Sequence, residues 1–138
     1  MVSDLVDPEA LLTTAIRAVV PEDTLVDLAT DTDVARYQRA VLVTALPGTG
    51  PRNASPRLAQ FYPVVLNVLA RSRGDAKALT DLVWTAVMDL EQTTVPGIGT
   101  VVTVEADRLP ARSPTNTVPN AVTFTQHNMQ FTLRLRPV

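Results

Sequence analysis

The stretch FYPVVLNVLARSRGDAKALTDLVWTAVMDL constrains the fold of this chain more than any other. Its apolar residues are nearly continuous from Val64 to Leu69, the pattern of a central strand covered on both faces. They then recur as Leu79, Leu82, Val83, Ala86, Val87 and Leu90, one stripe at helical spacing. We expect a strand over 61–72 and a helix over 75–92, which together require a sheet with a helical layer. The joint contains Arg73-Gly74-Asp75, a tripeptide also read as a cell-adhesion signal. Locally, Arg71 ends the strand, Gly74 allows a sharp turn, and Asp75 opens the helix as N-cap or first-turn acid. Ala76 and Ala78 then keep the helix start slim. A tripeptide match alone carries a high false-positive risk, so the joint is the preferred reading.

The flanking segments follow the same logic. Asp7, Pro8 and Glu9 mark a helix start. Leu11, Leu12, Ala15, Ile16 and Val19 continue it, with a stop near Pro21. An acidic, irregular segment runs to Tyr37. Residues 39–46 read as a strand with Val41, Val43 and Ala45 on one face. Residues 47–60 form a loop by composition, long enough to carry function. After the central helix, VPGIG turns the chain into a strand over 100–107, with Val102 and Val104 facing opposite to Val101 and Thr103. A second Pro-rich loop leads to a last strand over 122–136. Its apolar residues change phase, from Val122 and Phe124 to Met129, Phe131, Leu133 and Leu135, so a bulge or tight turn is expected at 126–128. The fold class is an α/β (α+β) sandwich: a mixed, largely antiparallel sheet of about four strands packed with two main helices, in one domain over 1–138.

Composition excludes several functions. With 46% apolar and 19% charged residues the chain reads as ordered and globular. It has no cysteine, hence no disulfide or thiolate chemistry. The N-terminus lacks the basic and apolar regions of a secretory signal, and the protein is expected to be intracellular or assembled inside a cell. A net charge of −2 argues against general nucleic-acid binding. Lys77 is the only lysine among twelve basic residues, consistent with a high-GC coding genome.

No motif makes a convincing active site. His127 is the only histidine and no G-x-S-x-G elbow accompanies it. Glu105 and Asp107, two apart on a strand, share a face and could hold a divalent cation, yet lack a nearby lysine for nuclease chemistry. Glu22, Asp23, Asp27, Asp31 and Asp33 lack the spacing of an EF-hand. PGTGPRN lacks the P-loop lysine. Asn53-Ala54-Ser55 matches a glycosylation acceptor without a secretory context. Neither catalytic residues, a cofactor nor a metal is expected. Two features resemble contact surface instead. Thr80, Trp84 and Met88, spaced by four, lie away from Leu79 as either a second buried side or an interface anchor. The two Pro/Gly loops are the other.

The N-terminal helix, the strand AVLVTAL with its Gly-containing loop, the strand-to-helix unit and the closing MQFTLRLRP together resemble the tail terminator (tail completion, head-tail joining) proteins of long-tailed bacteriophages, of the actinobacterial siphophage type. The family pattern falls on Pro63, Val65, Asn67, Leu69, Arg71, Ser72 and Arg73, then Ala76 and Ala78. The resemblance covers nearly the whole chain. It implies a structural virion protein, not an enzyme, forming a homo-oligomeric ring, expected to be a hexamer, on the head-proximal end of the tail tube. Its implied partners are the tail tube protein and the head-tail connector. Genomic DNA would pass through a neutral or acidic lumen without specific binding, and no membrane is involved. The implied location is the neck of the virion, after assembly in the host cytoplasm. Candidate interface residues are Thr80, Trp84, Met88, Pro47, Gly48, Gly50, Arg52, Arg57, Arg134 and Arg136. The alternatives are another neck protein, such as a head-completion adaptor, or a small metal-dependent enzyme using Glu105 and Asp107.

Overall fold

The computed structural model describes residues 5–28, 36–50, 59–112 and 124–137. The elements are α1 (Pro8–Arg17), β1 (Thr24–Leu28), β2 (Arg39–Ala45), β3 (Gln60–Ala70), α2 (Arg73–Met88), β4 (Thr93–Val95), β5 (Gly99–Arg112) and β6 (Thr125–Arg136). The strands form one sheet in the order β1-β2-β3-β6-β5-β4. β1 is parallel to β2, and the other neighbouring pairs are antiparallel. The sheet is mixed and largely antiparallel, as expected, but has six strands rather than about four. The two extra strands lie at its margins. β1 buries only Val26, between the exposed acids Asp23 and Asp27, and β4 buries only Val95. A strand paired on one side needs little apolar alternation, which is why neither stands out in the sequence.

Both helices pack on one face. Leu11, Leu12 and Ile16 of α1 and Leu79, Val83 and Val87 of α2 meet the core side of the sheet, where Val41, Val43, Val64, Leu66, Val68, Met129, Phe131, Leu133 and Leu135 are fully covered. Val19 lies beyond the end of α1 and is 44% exposed, and Leu82 on α2 is 39% exposed. Both were expected in the core. β3 is covered on both faces only at its C-terminal end. Val65 and Asn67 on the helix-free face are half-buried, and only Leu69 there is closed over, by Ala40 and Phe124.

That small second cluster also explains the phase change in β6. Register between β3 and β6 is unbroken from Gln60↔Leu135 to Ala70↔Thr125, so β6 has no bulge at 126–128. Phe124 is apolar because it packs on the helix-free face, whereas Met129 to Leu135 pack beneath the helices. Val122 lies outside the described residues. The irregularities are in β5 instead, where register against β6 shifts between Val101 and Thr103, Ala106 and Arg108, and Arg108 and Ala111. The first shift puts Val101 and Val104 both in the core, rather than on opposite faces. Pro110 lies within the last irregular stretch, where a missing N–H is tolerated.

The joints have local causes. Asp7 caps α1, accepting from the N–H groups of Glu9 and Ala10 at 3.1 Å each. Ser72, not Asp75, caps α2, accepting from Asp75 N at 3.1 Å. Arg73, Gly74 and Asp75 are therefore the first turn of the helix. Gly74 has no left-handed backbone, and a Cβ there would meet nothing within 4 Å, so no sharp turn depends on it. Only Ala76 of the two alanines is buried. α2 ends at Met88, four residues before the expected stop, with Gln92 at φ 62° turning the chain toward β4. Pro96 and Gly97 (φ 77°) then form the β4–β5 hairpin, closed by Ile98 N donating to Val95 O at 3.1 Å. Pro followed by a left-handed Gly is the signature of a type II turn.

Candidate contact surfaces

Three surfaces gather the polar and exposed side chains. The first lies at the end of the sheet where β2 leaves and β3 begins. Thr49 forms an isolated bridge with Phe61, through hydrogen bonds of 2.9 and 2.8 Å, which pins Pro47, Gly48 and Gly50 beside β3. Gly48 is required there: a Cβ would come within 2.4 Å of Tyr62 Cε1 and 2.9 Å of Phe61 O. Buried Gln60 ties this end to the N-terminus. Its Oε1 accepts from Val6 N at 2.9 Å and from the Tyr62 hydroxyl at 3.2 Å. Arg134 pairs in register with Phe61 and sets its guanidinium 5.7 Å from that ring, and exposed Arg136 follows at the strand end. The structure thus brings Pro47, Gly48, Gly50, Arg134 and Arg136 to one end of the sheet. Arg52 and Arg57 lie outside the described residues.

Thr80, Trp84 and Met88 are elsewhere, on the flank of α2 that faces the sheet. Thr80 is buried and donates to Ala76 O at 2.7 Å. Trp84 is half-buried, its ring 5.1 Å from that of Phe131 at an interplanar angle of 39°. Met88 is half-buried against the same core. The stripe reaches the core because α2 lies with a broad apolar flank on the sheet, wider than the single line read from the sequence.

The second surface is the helix-free face. Gln126 donates through Nε2 to Asn128 Oδ1 at 3.1 Å and to Asn67 Oδ1 at 3.4 Å, a row of amides beside the small cluster of Ala40, Leu69 and Phe124. Arg71 holds its guanidinium 5.2 Å from the Phe124 ring. Farther along, Glu105 pairs in register with Thr132, whose hydroxyl donates to Asp107. The two carboxylates do share a neighbourhood, but Asp107 occupies a bulge and is held by a hydroxyl. Among the described residues no three His, Asp or Glu side chains gather as metal ligands.

The third surface is a groove of about 580 Å³ between the start of α2 and the far end of β5 and β6. Arg73, Gly74, Lys77, Ala78 and Asp81 line one wall, and Arg112 and His127 the other. Lys77 pairs with Asp81 at 3.3 Å. Arg73 and Arg112 have no acidic partner among the described residues. His127 Nδ1 is buried and finds no hydrogen-bond partner among the described residues. Burial lowers the His127 pKa from its usual value, and Arg112, Lys77 and Arg73 push the same way against Asp81. The sequence drew attention to His127 only as a solitary residue. The cationic wall facing it comes from elements far apart in the chain.

No family model matches the sequence, and no curated protein matches it. Among solved structures, a chain from the virion of a native gene transfer agent particle is similar in fold. It aligns at a TM-score of 0.57 over 93% of each chain, with 14% sequence identity. The likeness is one of fold over that span. Among the described residues no helix is long and apolar enough to cross a membrane.

Proposed function

We propose that this protein is a structural component of a virion, and within that class a tail terminator: a ring subunit that caps the head-proximal end of the tail tube. The observation carrying this reading is the match in fold to a virion chain over 93% of both molecules, reached independently of the sequence resemblance. The surfaces described above support it. Polar amides, hydroxyls and arginines share the helix-free face with the small apolar cluster of Ala40, Leu69 and Phe124, a mixture suited to contact between preformed rigid surfaces. A ring uses heterologous contacts, with two different patches per subunit.

In this reading the loop at Pro47, Gly48 and Gly50, with Arg134 and Arg136 beside it, contacts the tail tube or the head connector. Arg52 and Arg57 extend that patch along the sequence. Thr80, Trp84 and Met88 act by setting α2 on the sheet, with the exposed edges of Trp84 and Met88 available to a neighbour. The ring is a hexamer around a neutral or acidic lumen through which DNA passes without specific binding. The protein works in the virion neck and needs no cofactor or catalytic group.

The test is co-assembly with the tail tube protein of the same virion. Electron microscopy should show tubes that stop at fixed length with added density at one end. Density on isolated heads but never on tubes would transfer the protein to the head-completion class. Unbounded, uncapped tubes and unlabelled heads would overturn the reading altogether.

A further inference from the structure

The two margins of the sheet differ in charge: the acids Glu22, Asp23 and Asp27 outnumber Arg17 and Arg39 at one, and Arg73, Lys77 and Arg112 outnumber Asp81 at the other. Val26, Val41, Val68, His127 and Arg112 are successive register partners, so they form one row across five strands. At about 4.8 Å per strand, the ends of that row lie about 19 Å apart. Beside Val26, at the β1 margin, stand the exposed acids Glu22, Asp23 and Asp27. At the other end Arg112 is on an outer strand, because β4 covers β5 only at Gly99, Thr100 and Val101. There Arg112 meets Arg73 and Lys77 around the groove beside His127.

Part of each patch is already satisfied. Asp23 pairs with Arg39 at 3.2 Å, Asp27 is itself engaged and accepts from Leu28 N at 2.8 Å, Arg17 donates to Val26 O at the same margin, and Lys77 pairs with Asp81. Glu22, Arg73 and Arg112 have no ionic partner among the described residues. The distance of about 19 Å between Val26 and Arg112 exceeds the screening length of about 8 Å at physiological salt, so Arg112 and the β1 acids do not neutralise each other within one chain. A second copy, displaced sideways by one sheet width, brings the acidic margin of one subunit against the basic groove of the next.

We propose that the groove formed by Arg73, Lys77 and Arg112 beside His127 is the docking site for a second copy of this chain, which enters it with its β1 margin at Glu22, Asp23 and Asp27. The contact is heterologous, because each subunit gives its acidic margin to one neighbour and its groove to the other. Repeated, it closes into a ring or continues as a filament according to the rotation per subunit. It rests on the ring reading and assigns the lateral contact within it, leaving the Pro47–Gly50 end for tube or connector.

Charge reversal with cross-complementation tests it. One variant carries Arg73→Glu and Arg112→Glu; the other carries Glu22→Lys and Asp27→Lys, leaving the Asp23–Arg39 pair in place. All four positions are exposed, and a carboxylate at the first turn of α2 suits the helix dipole, so both variants should fold, as checked by circular dichroism. Each alone juxtaposes like charges and should associate at least about tenfold more weakly than wild type by sedimentation velocity. Mixed, every contact becomes complementary again, and oligomers with an even number of alternating subunits should form. Wild-type oligomers with both variants unaffected would overturn this contact while leaving the ring reading intact. Two weakened variants that stay apart when mixed would also overturn it. A wild-type chain that stays monomeric at every attainable concentration, and on tail tubes, would overturn both. Weakened binding to duplex DNA in the groove variant, with self-association unchanged, would reassign the groove to nucleic acid and overturn the proposal.

Discussion

Replacing Trp84 by Ala separates a residue that holds the fold from one that serves only a neighbour. Trp84 is half-buried and stacks at 5.1 Å on Phe131, which is itself fully covered at the centre of the sheet. Truncation removes a large apolar contact and an aromatic pair, and leaves a void beside Val83, Val87 and Met88, which flank it in the same cluster. Complete burial of a Trp is worth about 3–5 kcal/mol on truncation, so a side chain with one edge in water should cost about 3 kcal/mol. With an unfolding entropy of about 2.1 cal/mol/K per residue, that lowers Tm by about 10 °C for a chain of 138 residues. The measurement is a thermal scan by far-ultraviolet circular dichroism on dilute protein, where association contributes nothing. Because Trp84 is the only tryptophan, its fluorescence in the wild type reports the same transition independently. A variant melting within about 2 °C of wild type would refute the packing argument and leave Trp84 as an anchor for a partner alone.

Three further outcomes follow from particular residues. Gly74→Ala should raise stability by about 0.5–1 kcal/mol, or Tm by about 2–3 °C, because Gly74 is helical and its added methyl meets nothing; a loss would show that the joint needs a glycine after all. Gly48→Ala should destabilise by about 1–3 kcal/mol in urea melts, since its methyl would overlap Tyr62 and the Phe61 carbonyl; an unchanged midpoint would mean that the loop does not pack on β3. For His127 the sign is set by its lowered pKa. The unfolded state binds a proton more readily, so its share of stability is full above about 6.5 and is lost as pH falls below that value. Arg112, Lys77 and Arg73 face it with positive charge and Asp81 with negative. Urea melts from pH 8 to 5 should therefore fall less steeply for His127→Gln than for wild type, and parallel curves would contradict the assignment.

The parts of this fold that declare themselves locally were legible in sequence. Asp7-Pro8 starts a helix through capping and a preset φ, and Val41 and Val43 alternate because one face of β2 is covered. What escaped was whatever depends on a neighbour. β1 and β4 exist because β2 and β5 offer them hydrogen bonds, not because their own residues insist on a strand. The phase change in β6 was visible, but its cause was not: Phe124 answers to Ala40 and Leu69, more than fifty positions away. Of the candidate contacts, the grouping of Gly48 with Arg134 needed the Thr49–Phe61 bridge to become apparent. The groove pairs α2 with Arg112 and His127, three parts of the chain with no shared motif.

The three register shifts between β5 and β6 have a mechanical consequence. Each adds one residue to β5 and none to β6, so over the length of the pair β5 contains about 10 Å more chain than its partner. Two bonded strips of unequal length bend, as a bimetallic strip does when one metal expands, with the longer strip on the outside of the arc. The β5–β6 ribbon is therefore precurved by its residue count, and no side-chain contact is needed to hold the arc. Removing one inserted residue, such as Asp107, would straighten that section while leaving Arg108 opposite Gln130 and Arg112 opposite His127, each on the face it has now.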